Sequence, residues 1–336
     1  MSHKRIIPAC IALLIVAICG YLYLTKSTSP VFYKNSGFIF GTQYHITYEY
    51  TQDLDSQIIG HLNQVDNSLS AFNTRSTLSL VNKNENITLD QMTEDVLQLA
   101  LSVSKLTEGA FDITIAPLVN AYGFGFENAG HITPGQIDSL KSIVGYKNIT
   151  INNHHLIKTS PNIILDCGGI AKGYACDVIA KYLDNLNINN YLVEIGGEIR
   201  AKGKNKSNET WKIGISNPQE DSTNTVPQNS VAIIKISDTG IATSGNYRNF
   251  YYREGKKYAH IIDPRTGAPS ESTILSATVI APTCAEADAY ATAFMVLGLE
   301  KSKEILSRQQ HLIVYFIYTG DDGQYQIWTN NKTDNS

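Results

Sequence analysis

Apolar residues recur along the chain at two spacings. In SGFIFGTQYHITYEY (36–50) they alternate, which predicts one long strand or a strand pair. In LDSQIIGHLNQVDNSLSAF (54–72) they return every three or four residues, the period of a helix with one buried face. TEDVLQLALSVSKLTEG (93–109) has the same period, with Thr93 placed to cap the helix and Gly109 to close it. TPGQIDSLKSIVG (133–145) predicts a short helix capped by Thr133, with Pro134 in the first turn. Further helices are expected over 170–187, 284–298 and 300–308. Strands are expected over 148–158, 162–165, 190–195, 211–216, 230–237, 274–281, 311–318 and 324–328. The two kinds of element mix without strict alternation. That predicts an α+β fold of mixed, largely antiparallel sheets flanked by helices, not a doubly wound parallel sheet. No fixed-period repeat and no clear linker interrupts the chain, so residues 28–336 are expected to form a single domain.

The N-terminus departs from this pattern. After the basic MSHKR, residues Ile6 to Leu24 form an uncharged apolar run of 19 residues. That length suits a membrane anchor or an export signal. The flanking positive charge puts the N-terminus on the cytoplasmic side and the rest of the chain outside. Val16-Ala17-Ile18-Cys19 is similar to a lipoprotein signal, although Ile18 is bulky where a small residue is expected. Residues 1–27 are therefore expected to be a signal or anchor segment, with a retained helix and a lipidated Cys19 as the two leading forms.

Charge narrows the partners. Of the 27 Lys and Arg residues, three precede residue 28, which leaves 24 against 31 Asp and Glu in the body of the chain. A net charge of this sign gives no indication of a nucleic-acid footprint, and no nucleic-acid partner is expected. Beyond the apolar run the cysteines are Cys167, Cys176 and Cys284, an odd number without metal-finger spacing, which reads as small buried side chains.

Four stretches carry candidate chemistry. DCGGIAKGYACD (166–177) sets two glycines and Lys172 where an apolar run turns into a helix. Free backbone N–H groups at such a corner, together with the helix dipole and a lysine, form a seat for an anion. Close packing alone would also use these glycines. In PTCAEADAYATAFMVLG (282–298), Thr283 and Glu286 form a capping box, and Asp288 and Thr292 share a helix face beside an apolar stripe. Their oxygens suit a hard cation such as Mg²⁺, or Asp288 bonds to Thr292 or solvent. In ATSGNYRNFY and YAHIIDPRTGAP, turn signals surround His260 with Thr243, Asp263 and Arg265. GAFDITIAPLVNAYGFG (109–125) holds Phe111, Asp112, Tyr122 and Phe124 among glycines, placed either to grip a planar ring or to fill the core.

Taken together, FGT (40–42), LSAFNTRSTLSLVN (69–82), GAFDITIAPLVNAYGFG, DCGGIAKGYACD, YLVEIGGEIRAKG (191–203), IATSGNYRNFYY, HIIDPRTGAP and ADAYATAFMVLG occur in one order over about residues 36–300. In that order they resemble the FAD:protein FMN transferase (ApbE-like) family. The resemblance implies a T-fold-related α+β catalytic domain in an exported, membrane-anchored or lipidated enzyme. Its catalytic part would face the periplasm or the outside of the cytoplasmic membrane. Such an enzyme cleaves FAD with Mg²⁺, passes FMN to a Thr or Ser hydroxyl of an acceptor protein, possible examples being subunits of membrane redox complexes, and releases AMP. Carried over by position, the resemblance implies metal ligation by Asp288, Thr292 and the backbone of Ala171 and Ala291. It implies an FAD pocket of Phe40, Phe72, Ala110, Phe111, Asp112, Gly168, Lys172, Tyr174, His260 and Ile262, with His260 and Asp288 as the catalytic side chains. Phe40, Phe72, Tyr122 and Cys167 stand where the family more often has Met, Tyr, Trp and Leu. Two rival readings use the same residues: an FAD pyrophosphatase that releases FMN and AMP to water, and a flavin-binding lipoprotein without catalysis.

Overall fold

The computed structural model describes residues 30–332 except 124–132, 217–229, 246–249, 254–255 and 260. The expected anchor, Phe124 and His260 lie outside the described residues. Among those described, no helix is long and apolar enough to cross a membrane.

Strands β1 (Val31–Ile39) and β2 (Thr42–Tyr50) realise the alternating N-terminal segment as a hairpin. Its two-residue turn has positive φ at both Phe40 and Gly41, 52° and 74°. This is what a tight hairpin whose turn matches the strand twist requires. Helices follow at Asp55–Leu69, Thr77–Asn82 and Gln91–Leu106. The second of these is not marked by the sequence pattern. The third starts earlier than the pattern suggests: Asp90, not Thr93, is its cap, accepting from the Thr93 N–H, because the backbone is still extended at Asp90. A 3₁₀ turn (Ile113–Ile115) leads into a short helix (Ala116–Ala121). The helix Pro134–Lys141 carries the expected Thr133 cap, and Gln136 completes it as a capping box. The expected strand 148–158 is a hairpin, β3 (Ile149–Asn152) and β4 (His155–Lys158). Residues 162–165 form no strand; the Leu165 backbone bonds instead to the Asn82 side chain in both directions.

Next come a helix at Ala171–Asn185, called the site helix below, then β5 (Tyr191–Ile195), β6 (Glu198–Lys202), β7 (Trp211–Ser216), β8 (Ser230–Ile236) and β9 (Thr239–Gly245). Two small hairpins follow, β10 (Phe250–Arg253) with β11 (Lys256–Ala259), and β12 (Ile262–Asp263) with β13 (Ala268–Pro269). The chain closes with β14 (Ile274–Ala281), the core helix (Cys284–Leu297), a helix at Leu299–Arg308, β15 (Ile313–Thr319) and β16 (Tyr325–Thr329).

Eight strands form one sheet in the order β1-β2-β5-β6-β9-β14-β15-β16, and every neighbouring pair is antiparallel. The period of two along each strand sorts side chains between its faces. Tyr44, Ile46, Tyr191, Val193, Ala277, Val279, Val314 and Phe316 point to the helices and join the main core. Ile199, Ala201, Ile241, Ile280, Tyr315 and Ile317 point the other way and pack under the β7–β8 hairpin through Ile215, Ile234 and Ile236. Each fully buried side chain of this size stabilises by roughly 1.5–3 kcal/mol, so covering both faces is what holds so large a sheet.

The core helix has no solvent face: eleven of its fourteen residues are buried, Asp288 among them. A helix apolar all round must be enclosed on every side, and β9, β14 and the site helix enclose it. Gly173 permits the approach of the site helix. A Cβ there would collide with the carbonyl oxygen of Cys284. The capping box expected at Thr283 and Glu286 is half made. Thr283 accepts from the Glu286 N–H, but the Glu286 carboxylate turns to His311. The backbone N–H groups of Cys284 and Ala285 donate instead to Asp177 on the site helix, at 2.9 and 2.8 Å.

Candidate active site

The bend 166–172 enters the site helix against the middle of the core helix. A Cβ on Gly169 would lie 2.9 Å from the Thr292 hydroxyl and 3.3 Å from the Phe111 ring, so only a glycine lets the bend reach this wall. One turn on, the Gly173 N–H donates to Asp288 Oδ2 at 3.1 Å. The stretch singled out for its glycines and the helix pair Asp288 and Thr292 thus belong to one place.

How the bend would meet an anion differs from the sequence expectation. Its N–H groups are largely engaged within the protein. Gly168 donates to Asp166 Oδ1 at 2.7 Å, Ile170 and Ala171 fold back onto the Cys167 carbonyl, and Gly173 serves Asp288. Of the expected anion seat the Lys172 ammonium remains, 2.8 Å from Glu198 Oε1 and 4.0 Å from Asp288 Oδ2.

Strand β6 supplies the partner. Glu198, Arg200 and Lys202 alternate with the apolar Ile199 and Ala201 and all face the site helix, where they pair with Lys172, Asp177 and Asp184. Burial, and after it the charge of Asp288, push the Glu198 carboxyl up to about 7 against the pull of Lys172. Burial raises Asp288 as well, opposed by Lys172 and by the Gly173 hydrogen bond. For Lys172, burial works against the charge, but Asp288 and Glu198 outweigh it and hold the ammonium protonated. Burial pushes Asp177 up to about 6, against its two helix-capping hydrogen bonds and Arg200.

Two cavities meet at the bend. One, of about 460 Å³, is lined by Ala110, Phe111, Asp112, Glu198, Ser244, Ile262, Asp288 and Thr292, among others. The other, of about 260 Å³, lies between the β1–β2 turn and the helix Asp55–Leu69, with Phe40, Phe72 and Ala171 in its wall. Asp166, Gly168 and Lys172 line both. Phe72 is 81% exposed, unusual for an aromatic of this size, and Phe40 holds a left-handed backbone that costs a non-glycine residue roughly 1–2 kcal/mol. Both aromatics border a space with room for a planar group.

The expected site residues therefore divide. Phe40, Phe72, Ala110, Phe111, Asp112, Gly168, Lys172, Ile262, Ala171, Asp288 and Thr292 line one cavity or the other. Tyr174 does not: its hydroxyl reaches away to Asp95 at 3.2 Å. Ala291 is wholly buried inside the core helix and lines neither. The Asp112 carboxylate is engaged by Thr114 and the Tyr146 N–H, so it shapes the turn that carries Phe111. Tyr122 is a core residue bonded to the Gly267 carbonyl. Glu198 and Ser244, whose hydroxyl lies 3.3 Å from that of Thr292, line the larger cavity without having been marked as site residues. An acid directly after two glycines, in a strand whose other face is apolar, is the signal that could have found Glu198.

Among the described residues lining the larger cavity, four are acidic (Asp112, Asp166, Glu198 and Asp288) and one, Lys172, is basic. Glu198 Oε2 is buried without a hydrogen-bond partner among the described residues. A diphosphate entering alone would meet net repulsion, whereas a divalent cation would meet a carboxylate and a hydroxyl one helical turn apart. The donor set thus fits a hard cation, although no cluster of three or more His, Cys, Asp or Glu side chains is found among the described residues.

Known proteins are similar to this chain in sequence and fold. The model of the ApbE family matches residues 40–316. The FAD:protein FMN transferase of Vibrio cholerae is 37% identical over 322 residues, covering 92% of this chain and 94% of its own, and that of Escherichia coli K12 is 36% identical over 286 residues, covering 82% and 79%. Among solved structures, the flavin transferase ApbE from Vibrio cholerae superposes with a TM-score of 0.80 at 36% identity, over 91% of this chain and 99% of that one. The apo flavinyl transferase ApbE of Pseudomonas stutzeri does so with a TM-score of 0.80 at 28% identity, over 91% and 96%. With the family model spanning both cavities and the bend between them, the chain belongs to the ApbE family.

Proposed function

We propose that this protein is an FAD:protein FMN transferase: it cleaves the FAD diphosphate, moves FMN onto a Thr or Ser hydroxyl of an acceptor protein and releases AMP. The observation that carries this reading is the junction of two cavities at Lys172, beside Asp288 and Thr292. FAD is two ring systems joined by a diphosphate, and a bipartite cleft with its cation-binding groups at the waist matches that plan. The relatives' names supply the reaction class.

The chemistry is substitution at the FMN phosphorus. The acceptor hydroxyl oxygen forms a new P–O bond, the bond to the AMP phosphate oxygen breaks, and the hydroxyl proton leaves. Lys172 offsets phosphate charge at the waist. The enclosing walls hold the two ends of FAD in line, so that positioning and electrostatics supply most of the acceleration. Asp288, Thr292 and the Ala171 carbonyl would hold Mg²⁺, which supplies charge neutralisation on the diphosphate when bound. His260 is the candidate to receive the hydroxyl proton, since its ordinary pKa lies near neutral pH.

The apolar run Ile6–Leu24 behind a basic cap supports export, with the catalytic part outside the cytoplasmic membrane and tethered by a retained helix or a lipidated Cys19. The test is to incubate the full chain with FAD, with and without Mg²⁺, alone and with an acceptor protein. AMP release that requires Mg²⁺, together with flavin fluorescence bound covalently to the acceptor, is expected. AMP and free FMN in equal yield regardless of acceptor would replace the transferase with a pyrophosphatase. No AMP under any condition would leave a flavin-binding protein.

A further inference from the structure

Lys172 lies between two carboxylates at unequal distances: 2.8 Å from Glu198 and 4.0 Å from Asp288. The nearer one is on the sheet and the farther one is on the core helix, at the wall where the cation-binding groups stand. Glu198 is held rigidly. Its side chain is 6% exposed, its strand is paired on both sides within the main sheet, and Ile199 and Ala201 beside it are packed under the β7–β8 hairpin. Lys172 has no comparable anchor, since its ammonium ends a flexible four-carbon stem. Without Glu198, the nearest carboxylate of this cluster would be Asp288, and in a buried site an ammonium 4 Å from a carboxylate closes on it.

We propose that Glu198 is the positioning residue that holds the Lys172 ammonium off Asp288, at the junction of the two cavities. The lysine then stays available to the diphosphate, and the aspartate to the cation. This rests on the FAD-cleaving reading above and adds to it a side chain that touches neither ring nor phosphate. The sign of its effect separates it from simple electrostatics. Deleting a negative charge beside an anion site strengthens anion binding through space, whereas deleting a positioning group weakens it.

The test measures ADP, riboflavin and Mn²⁺ binding to the full chain by titration calorimetry, with ADP titrated at saturating Mn²⁺. ADP reports the diphosphate contact and riboflavin, which has no phosphate, reports the ring contact. Glu198→Gln is expected to weaken ADP about tenfold, to weaken Mn²⁺ binding in the absence of nucleotide, and to leave riboflavin unchanged. Lys172→Gln should weaken ADP by a similar factor, and the double variant should lose no more than Lys172→Gln alone. ADP binding to Glu198→Gln at or above the wild-type affinity would overturn the proposal, as would losses in the two single variants that multiply in the double. If Glu198→Gln does not fold, Glu198→Asp carries the test. It keeps the charge but retracts the carboxylate by one methylene, and a several-fold loss of ADP affinity supports the proposal while an unchanged affinity overturns it. Wild-type protein that binds neither ADP nor riboflavin would remove the functional reading itself, an outcome distinct from wild-type binding with an indifferent Glu198 variant.

Discussion

The Gly173 N–H donates to Asp288 Oδ2 across 115 residues of chain, at 3.1 Å. This contact exists because position 173 has no side chain: the site helix can then lie against the Cys284 carbonyl at the start of the core helix. Gly173→Ala sets two effects against each other. Alanine favours the helix by about 1 kcal/mol. Its Cβ would meet backbone that cannot rotate away, and overpacking of this kind costs roughly 1–3 kcal/mol. The steric effect is expected to win. The variant should melt at a lower temperature than wild type, and its AMP release should fall because the bend and Asp288 are pushed apart. Thermal unfolding followed by circular dichroism checks the first, and nucleotide chromatography the second.

Asp288→Asn separates function from folding. Burial already disfavours the Asp288 charge, and asparagine keeps both the shape and an oxygen that the Gly173 N–H can reach. The melting temperature is therefore expected to hold or rise. Mg²⁺-dependent AMP release should fall on the order of a hundredfold or more, the scale seen when one charge-stabilising group is removed from a transition state. Full activity in this variant would rule out Asp288 as the residue that holds the cation.

Much of the architecture is legible in the alternation and helical period of the chain, and the places where it is not share a cause. Strand β6 reads Glu-Ile-Arg-Ala-Lys, a half-charged alternation that would ordinarily mark one solvated face. Here the charged face is covered, because each of its three side chains meets an opposite charge on the site helix. Strand β9, Thr-Gly-Ile-Ala-Thr-Ser-Gly, has the composition of a turn, yet its small side chains let the core helix lie close against it. The juxtaposition of Asp288 with the glycine bend is implied by the resemblance to the family, not by the spacing of the residues alone. Which N–H groups remain open at that bend is implied by neither, since it depends on how Asp166 and Cys167 fold back on it.

Phe72 offers a test of the smaller cavity. At 81% exposure it contributes little to the core, so Phe72→Ala should leave the melting temperature nearly unchanged. If its ring stacks on one end of FAD, its loss should cost about 0.5–1.5 kcal/mol of binding, or roughly 2- to 13-fold in affinity. The KM for FAD is expected to rise by about that factor while kcat changes less. Binding of ADP and riboflavin measured separately tells which end of FAD the ring touches, because only one of the two should weaken. A variant that binds both as wild type does would show that Phe72 borders the cavity without gripping a ring.

The buried acids also set how stability responds to pH in metal-free buffer. Glu198 titrates near 7 in the folded protein against an ordinary value of 4.5, and Asp177 near 6 against 3.8, each raised chiefly by burial. A carboxyl whose pKa is higher folded than unfolded binds its proton more tightly in the native state. Its contribution to stability is then fully present below the unfolded value and is lost as pH rises through the folded one. For Glu198 the window runs from about 4.5 to about 7, with a plateau above. Other carboxyls have the opposite sign, Asp90 and Asp53 among them, because hydrogen bonds to their ionised forms hold them low. The wild-type curve alone therefore mixes both. The difference between wild type and Glu198→Gln isolates one group: glutamine cannot ionise, so its relative stability should increase from pH 4.5 to 7 and level off beyond. Urea unfolding at half-unit pH steps with a chelator present measures that difference. Saturating Mg²⁺ should shrink it, because a cation at Asp288 stabilises the ionised form of its neighbour. A difference that stays flat from pH 4.5 to 7 would mean that Glu198 is ionised throughout, with Lys172 outweighing both its burial and the repulsion from Asp288.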